Sequence, residues 1–387
     1  MRNYVPWLLP CIVLTAGGAL AARELPAVPR GGEIAVDGDL SDTAWQAAAW
    51  QTGFVSASAA AEAAGDPRPV AVQTRFKVLY DPHAVYVAIE ADEPEIGNLK
   101  AGYNGHDQDV YMDDCVEIFL DPAGDGRYYH HFAINSRGAW FDDYGADYGL
   151  VHVKLWDIPL QTGTSVDANA RVWRVEVRIP LAGLQLKEDA GSTWLWNVTR
   201  ERYAGGTHEL STWTPLKGNF HQPQLFGQLT GMPTDYSHFA ITVGEPKVTV
   251  SGGPGVTSDV ELRVPVTNDG PATRTLEVSA ELFRQPQTAV RAATVELAPG
   301  ATETVALPAL KVARDQTGAP VQVTVTDIAT DKPAKIVVKR LDTEYRPLAV
   351  EVLQPVYRNC IYATEDVPEL VFNVRLALDV AAKTAQV

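Results

Sequence analysis

Cysteine is scarce in this sequence. Its 387 residues include only Cys11, Cys115 and Cys360, and Cys11 lies in an N-terminal segment that we expect to be removed. Two cysteines far apart in the chain cannot form the disulfide scaffold that holds small secreted domains together. We therefore expect Cys115 and Cys360 to be buried small apolar residues and not a bridge.

Positive charge is also in short supply, with 32 basic residues against 48 acidic ones and a formal net charge of −16. The field of such a chain repels phosphate, which disfavours nucleic acids and anionic membranes as partners. The negative charge does not disfavour neutral ligands such as sugars. The hydrophobic and charged fractions, 46% and 21%, are ordinary for a globular protein and exclude a largely disordered or fibrous chain.

Long hydrophobic runs are missing beyond the N-terminus. The segment MRNYVPWLLPCIVLTAGGALAARELP combines Arg2, an apolar run over 5–15 and small residues before Ala21. This pattern is typical of a secretory signal peptide over residues 1–21, cleaved near Ala21. The apolar run is too short for a membrane span. We expect a secreted, periplasmic or cell-surface protein without a membrane span.

Short alternating segments separated by Gly, Pro, Asp and Asn follow the signal peptide. In WRVEVRIPL (173–181), for example, Trp173 and Val175 share one face while Arg174 and Glu176 share the other. Such segments predict an antiparallel sandwich. The other predicted strands of this region are FKVLY (76–80), VYVAIEA (85–91), VEIFLD (116–121), YYHHFAINSRG (128–138), WLWNVTRERY (194–203) and LSTW (210–213).

The composition changes near His238, where aromatic residues become scarce and Val, Thr, Ala and Pro dominate. The predicted fold class is therefore all-β. It consists of a jelly-roll-like antiparallel β-sandwich over 28–236 and an immunoglobulin-like β-sandwich, a spacer, over 237–342. Residues 343–387 read as the start of an incomplete further β-domain, with the alternative that their strands add to the second sandwich.

The first of these sandwiches resembles the family 9 carbohydrate-binding modules over about residues 33–230. The resemblance rests on segments in the family's order, which are VDGDLSDTAW (36–45), LYDPHAVYVAIEADE (79–93), DDCVEIFLDP (113–122), HFAINSRG (131–138), WRVEVRIPL (173–181), WNVTRE (196–201), STW (211–213) and LFGQL (225–229). The family implies a β-sandwich that binds sugars and usually accompanies glycoside hydrolases.

The resemblance also implies a binding site. In the family's ligand-binding branch two aromatic rings bracket one sugar; the matching positions are Tyr111 and Phe220. Glu117 matches a ligand-bonding Glu, and Lys217 stands roughly where the family has a ligand-bonding Asn. The family's Arg on the next strand falls at Ala133, which is a departure from the pattern.

Other residues around these positions are chosen from their chemistry. Arg200, in a predicted strand, is the basic residue of that segment that we expect to reach a ligand. His130 and His131 are strand neighbours and should point to opposite faces, which argues against a shared zinc site. Asp142 and Asp143 are predicted to lie in an acidic-aromatic loop, either solvated or lining the same cleft.

We expect that no cofactor is required, and we keep a structural Ca²⁺ ion as one alternative. Asp121 and Asp125 and the glycines between and after them offer oxygen ligands and flexible backbone suited to Ca²⁺. The alternative is a simple Asp-Gly turn. Paired carboxylates for glycoside hydrolysis are not expected, because Glu117 and Asp121 are separated along one strand face by Phe119.

The sequence thus predicts a secreted, non-catalytic module that holds a polysaccharide-processing protein at a neutral poly- or oligosaccharide. A catalytic domain in a longer chain would be its partner. Two alternatives remain open: the N-terminal part of a glycoside hydrolase, and a structural cell-surface protein without a sugar ligand.

Overall fold

The computed structural model describes residues 23–57, 68–186, 190–252, 257–291, 294–314, 318–344, 348–354 and 371–376. Throughout these ranges the regular elements are strands and short 3-10 turns, which confirms the all-β prediction. None of the described helices is long and apolar enough to cross a membrane. The predicted signal peptide and Cys360 lie outside the described residues.

The strands up to residue 230 follow the alternating segments of the sequence. They are β1 (Glu24–Pro26), β2 (Val28–Pro29), β3 (Val55–Ser56), β4 (Thr74–Asp81), β5 (Ala84–Asp92), β6 (Cys115–Asp121), β7 (Tyr129–Asn135), β8 (Trp140–Ala146), β9 (Val151–Val153), β10 (Gln161–Asp167), β11 (Val172–Pro180), β12 (Thr193–Arg202), β13 (Glu209–Thr212) and β14 (Gly227–Thr230). The 3-10 turns are Thr43–Ala47, Ile96–Asn98, Val110–Met112, Asp147–Gly149, Leu181–Gly183, Pro223–Leu225 and Ser237–Phe239.

These strands form two sheets. The front sheet has the order β1-β14-β12-β6-β7-β8-β9, with β13 beside β12 and β3 beside β13; the back sheet has the order β10-β11-β5-β4-β2. Residues of both sheets share one buried core, for example Ile118 and Trp196 of the front sheet with Phe76 and Trp173 of the back sheet. This arrangement is a β-sandwich, as predicted.

The alternation of β11 also explains the motif at 36–45. Val175 and its odd-numbered neighbours fill the core, while Glu176 points out of it. The Glu176 carboxylate accepts hydrogen bonds from Trp45 Nε1 at 2.7 Å and from the backbone N–H of Gly38 at 2.9 Å. A side chain at Gly38 would meet the Thr164 backbone, and its φ of +86° favours glycine.

The strand β8 of the front sheet lies where the sequence analysis placed a loop. We expected Asp142 and Asp143 in a loop, but both lie in β8, which pairs antiparallel with β7. Trp140 of β8 faces the sandwich core, and Phe141 joins a small cluster with Val110 on the outer face. Asp142 and Asp143 interrupt the alternation of apolar and polar residues in this segment, so the sequence pattern did not indicate a strand.

A second sandwich follows. Its strands are β15 (Ile241–Val243), β16 (Lys247–Gly252), β17 (Thr257–Asn268), β18 (Arg274–Leu282), β19 (Gln285–Arg291), β20 (Val295–Leu297), β21 (Thr302–Ala313), β22 (Pro320–Asp327) and β23 (Lys332–Arg340). One sheet joins β15, β16 and β21 to β17, and the other has the order β19-β18-β22-β23 with β20 beside β18. Their shared core includes Val264 and Val323. The immunoglobulin-like assignment and the domain boundaries stay predictions.

The last described strands, β24 (Leu348–Gln354) and β25 (Val371–Leu376), pair antiparallel with each other. Within the described residues they form a sheet of their own and join neither sheet of the second sandwich.

The two sandwiches touch through β23. Ile336 of β23 packs into the core of the first sandwich, and His238 Nε2 donates to the Pro333 carbonyl at 3.0 Å. Arg340, at the end of β23, forms an ion pair with Asp107 of the first sandwich.

Candidate functional site

A pocket of about 360 Å³ opens on the outer face of the front sheet. Its floor comes from β6, β7, β8, β9 and β12, whose even and odd positions alternate between the core and this face. Loops before β6 and after β13 close its sides. The lining residues are Tyr111, Glu117, His131, Phe141, Asp143, His152, Lys154, Glu201, His208, Leu210, Gly218, Asn219, Phe220 and His221.

The fold brings together three of the predicted site residues. Tyr111, Glu117 and Phe220 come from distant parts of the sequence and line this one pocket. Whether a ligand contacts them stays a prediction, but their convergence is what the sequence analysis required.

Glu117 occupies the pocket floor. It is 2% exposed, and it lies on the opposite face of β6 from Val116 and Ile118, which are in the core. One of its carboxylate oxygens accepts a hydrogen bond from His131 Nε2 at 2.7 Å. The other lies 3.9 Å from the Sγ of Cys115, a buried free thiol as predicted. The hydrogen bond from His131 therefore fixes the orientation of the Glu117 carboxylate on the pocket floor.

His131 is a cation held between two acids. Its Nδ1 lies 3.0 Å from Asp143 Oδ1, and its ring stacks on Phe119 at 4.4 Å between centroids. Burial alone would lower the pKa of His131, but the carboxylates of Asp143 and Glu117 outweigh it and raise this pKa to about 10. Both ring nitrogens then carry protons and donate to the acids.

Asp143 links His131 to the pocket rim. Its second oxygen accepts from His152 Nδ1 at 2.9 Å. Burial raises the pKa of Asp143, but the positive charge of His131 and the hydrogen bonds from both histidines lower it well below its usual range. Asp143 is thus a fixed anion at neutral pH.

Two further groups in the pocket are kept neutral. Burial and the nearby charge of Glu117 raise the pKa of Glu201, which also contacts His208. Burial and the charge of His131 lower the pKa of His221 to about 3, and the Nδ1 of His221 forms a hydrogen bond with the Tyr129 hydroxyl at 2.8 Å. A protonated Glu201 can donate a hydrogen bond, while Glu117 and Asp143 can only accept. The pocket therefore offers both kinds of partner that a hydroxyl group needs.

The two predicted rings are not equivalent. Tyr111 is partly exposed and stands edge-to-face with Phe141 at 5.5 Å. Phe220 is only 5% exposed and packs with Phe119 and Phe226 in a buried cluster. Tyr111 therefore presents an accessible ring, and Phe220 forms part of a packed wall.

Arg200 does not reach the pocket. It neighbours Glu201 on β12, so its side chain points to the opposite face. Arg200 is 1% exposed, and its guanidinium donates to Glu93 Oε2 and to the Asp92 carbonyl, each at 2.8 Å. The structure corrects our expectation for Arg200: it belongs to a buried ion-pair network between the sheets.

Lys217 is exposed and does not line the pocket, although the next residues, Gly218 and Asn219, do. Lys217 is therefore not where the resemblance placed it, and Asn219 is the nearby amide that lines the pocket.

The possible calcium ligands lie apart from the pocket lining. Both carboxylate oxygens of Asp121 accept backbone hydrogen bonds, from Ala123 at 2.9 Å, Gly124 at 3.0 Å and Gly126 at 2.8 Å. Asp125 Oδ1 accepts from the Arg127 N–H at 2.8 Å. This geometry favours the alternative of an Asp-Gly turn, and a calcium role for Asp121 and Asp125 has no support from it.

Two further acids, directly before β6, shape loops. Asp113 accepts from the N–H groups of Gly102 and Tyr103. Asp114 accepts from those of Lys100 and Tyr203. Both aspartates are fully buried, so they position the loops around the pocket and are not available to a ligand.

Sequence reasoning missed most of the polar lining. Side chains alternate between the two faces of a strand. Thr199 lies opposite Glu117 in the register, so Glu201, two positions further along β12, has its side chain on the same face as Glu117. This alternation predicts Glu201, and not Arg200, as a pocket residue. Similarly, His131 is two positions from Ala133, the partner of Glu117 across the β6–β7 pair. The cation beside Glu117 thus comes from His131.

His130 points to the other face, as the strand alternation predicted, and yields a pH prediction. It is 3% exposed and packs against Trp156 at 4.7 Å; burial, then the charge of Lys335, lower its pKa to about 3. Below pH 6.5 the unfolded chain binds a proton at this position that the folded chain does not. The free energy of unfolding should therefore fall as pH falls from 6.5 towards 3.

The measurement is urea unfolding at pH 7 and pH 5 for the wild type and His130→Gln. The wild type should lose about 2 kcal/mol more than the variant between these pH values. Equal losses would show that His130 titrates normally in the folded protein.

The family model described as "Carbohydrate family 9 binding domain-like" matches residues 36–231. The chain belongs to this family. No curated protein matches the chain in sequence. Among solved structures, a family 9 carbohydrate-binding module from Caldicellulosiruptor kristjanssonii in complex with cellotriose is 22% identical, with 55% of this chain and 96% of that chain covered and a TM-score of 0.41.

The complex of a Caldicellulosiruptor kristjanssonii family 9 module with glucose is 21% identical, with 55% of this chain and 98% of that chain covered and a TM-score of 0.40. The Amycolatopsis orientalis exo-chitosanase CsxA is 10% identical, with 75% of this chain and 27% of that chain covered and a TM-score of 0.24. The family 9-like domain of this chain corresponds to its first sandwich, which carries the pocket.

Proposed function

We propose that this chain is a non-catalytic carbohydrate-binding protein whose family 9-like domain holds a neutral saccharide in the pocket between Tyr111 and Phe220. The observation that carries the proposal is the convergence of Tyr111, Glu117 and Phe220 on one cavity. A cavity of about 360 Å³ falls in the usual size range of small-molecule sites.

The lining matches the two surfaces of a sugar. A pyranose ring has an apolar C–H face, which an accessible aromatic ring such as Tyr111 can cover. Its hydroxyl groups both donate and accept hydrogen bonds, and the pocket supplies the Glu117 and Asp143 carboxylates as acceptors and Asn219 as a mixed partner. No net positive surface is needed, which suits a chain of net charge −16.

The wider role follows from the sequence pattern. With a signal peptide at residues 1–21, the chain would be exported to the periplasm, the cell surface or the medium. There the domain would hold a polysaccharide-processing protein at its glycan, with the second sandwich as a spacer.

Calorimetric binding with the glycan selected on an array tests this proposal. Tyr111→Ala should weaken binding by roughly tenfold, because ring stacking contributes up to about 1.5 kcal/mol beyond the area buried. Tyr148→Ala is the matched control, since Tyr148 is 52% exposed and lies outside the pocket lining.

Equal binding by wild type and Tyr111→Ala would remove the pocket from the proposal, and no binding across the array would remove the saccharide. Phe220→Ala is a poorer test because Phe220 is packed, so its loss would disturb the fold as well as the pocket.

A further inference from the structure

A second polar cluster lies on the other side of β8 from the pocket. It consists of His106, Asp107, Asp142 and Asp157. His106 Nε2 lies 2.8 Å from Asp142 Oδ1, 3.3 Å from Asp157 Oδ1 and 3.4 Å from Asp107 Oδ1. One ligand atom from each residue falls within 4.8 Å of all the others. The cluster is therefore compact enough for its members to share one partner.

The distances from His106 Nε2 to the three carboxylate oxygens are those expected between neighbouring ligand atoms of one metal ion. A cation bound at about 2.0–2.2 Å by imidazole nitrogen and carboxylate oxygen places neighbouring ligand atoms roughly 3 Å apart. The three distances from His106 Nε2 have this length. Small side-chain adjustments would place all four atoms around one centre.

Asp157 supplies an independent reason to expect a ligand. Its side chain is fully buried, and neither of its carboxylate oxygens accepts a hydrogen bond from any described residue. The nitrogen atoms nearest to its two oxygens are His106 Nε2 at 3.3 Å and Arg340 Nη2 at 3.7 Å. A buried carboxylate without donors costs free energy, and a bound cation would remove that cost.

The neighbours of Asp157 are better satisfied. Asp142 Oδ2 accepts from the Ile158 N–H at 2.8 Å, which leaves Oδ1 directed at the cluster. Asp107 pairs with Arg340 through Oδ2, while its Oδ1 accepts no hydrogen bond from the described residues. Each acid thus keeps an oxygen for the shared centre.

The surroundings fix the histidine. The His106 ring packs edge-to-face between Trp140 at 5.1 Å and Phe283 at 5.3 Å. Trp140 belongs to the first sandwich and Phe283 follows β18 of the second. A cation here would therefore sit where the two sandwiches meet, beside the Arg340–Asp107 ion pair.

We propose that His106, Asp107, Asp142 and Asp157 bind one divalent transition-metal cation, Zn²⁺ or Mn²⁺, at the junction of the two sandwiches. The imidazole ligand favours these ions over Ca²⁺ and Mg²⁺, which take oxygen ligands almost throughout. The site is separate from the saccharide pocket and from the Asp121 turn.

The test uses the mature full chain, stripped with EDTA, dialysed, and titrated calorimetrically with ZnCl₂, MnCl₂ and CaCl₂. The wild type should bind one equivalent of Zn²⁺ or Mn²⁺ more tightly than Ca²⁺. Asp157→Asn and His106→Gln should each weaken that binding at least tenfold. Asp39→Asn, which removes an exposed acid elsewhere in the first sandwich, should bind as the wild type does.

Anomalous scattering at the zinc edge gives a second measurement that needs no variant. Crystals of the wild type grown with Zn²⁺ should show one peak between His106 Nε2 and the Asp157 carboxylate. Failure of the wild type to bind a stoichiometric cation would overturn the proposal. So would unchanged affinity in folded Asp157→Asn, or a peak confined to the pocket histidines.

Discussion

Glu117→Gln is expected to weaken saccharide binding by roughly 10- to 100-fold while leaving the protein folded. The substitution keeps the size of the side chain but removes its negative charge. Hydrogen bonds to a charged group contribute about 1.5–3 kcal/mol, which corresponds to that loss of affinity. The carboxylate lies on the pocket floor and is oriented by His131 at 2.7 Å. Isothermal titration calorimetry with the array-selected glycan measures the effect.

Glu261→Gln is the matched control, because Glu261 is an exposed strand residue of the second sandwich. It should bind as the wild type does. If Glu117→Gln also binds normally and its thermal unfolding is unchanged, the carboxylate makes no contact with the ligand, and the role implied by the family resemblance would be wrong.

Glu93→Ala is expected to lower the free energy of unfolding by about 3–5 kcal/mol, since it leaves buried charges without their partner. Glu93 is fully buried and accepts hydrogen bonds from Arg200 Nη2 and from Nε and Nη2 of Arg202, each at 2.8 Å. Burial raises the pKa of Glu93, but the hydrogen bond from Arg202 and the charges of both arginines lower it below its usual value. Glu93 is therefore the ionised centre of this network.

Urea unfolding followed by tryptophan fluorescence measures this loss cleanly. Eight of the nine tryptophans lie between Trp45 and Trp213, and the ninth is Trp7 in the predicted signal peptide, so the signal reports the first sandwich. The control is Glu95→Ala, whose side chain is exposed two positions further along. A difference below about 1 kcal/mol between the two variants would show that the network is a weak ion pair.

The sequence was sufficient to predict an all-β sandwich because strand alternation and turn residues act locally. The strand at Val172–Pro180 places its core residues as predicted, and the predicted strands 76–80 and 85–91 pair with each other as β4 and β5. β8 was missed because Asp142 and Asp143 interrupt its apolar pattern. Their burial depends on partners from other elements, His106 for Asp142 and His131 for Asp143.

The functional site was predicted less completely than the fold, because its polar residues contact partners that are distant in the sequence. The positions of Tyr111, Glu117 and Phe220 came from family resemblance, and the fold brings them to one pocket. The prediction for Arg200 was wrong because it assumed that this basic side chain faces a ligand. The position of Arg200 on β12 instead directs its side chain to Glu93. Polar residues between the sheets are satisfied by long-range pairs that no local pattern reveals.

The most direct test of the central claim is a crystal structure of the chain with the array-selected glycan. The sugar ring should lie against the accessible face of Tyr111, with a hydroxyl within about 3 Å of the Glu117 carboxylate. A glycan bound at another surface, with no contact to Tyr111 or Glu117, would contradict the proposal that this pocket is the saccharide site.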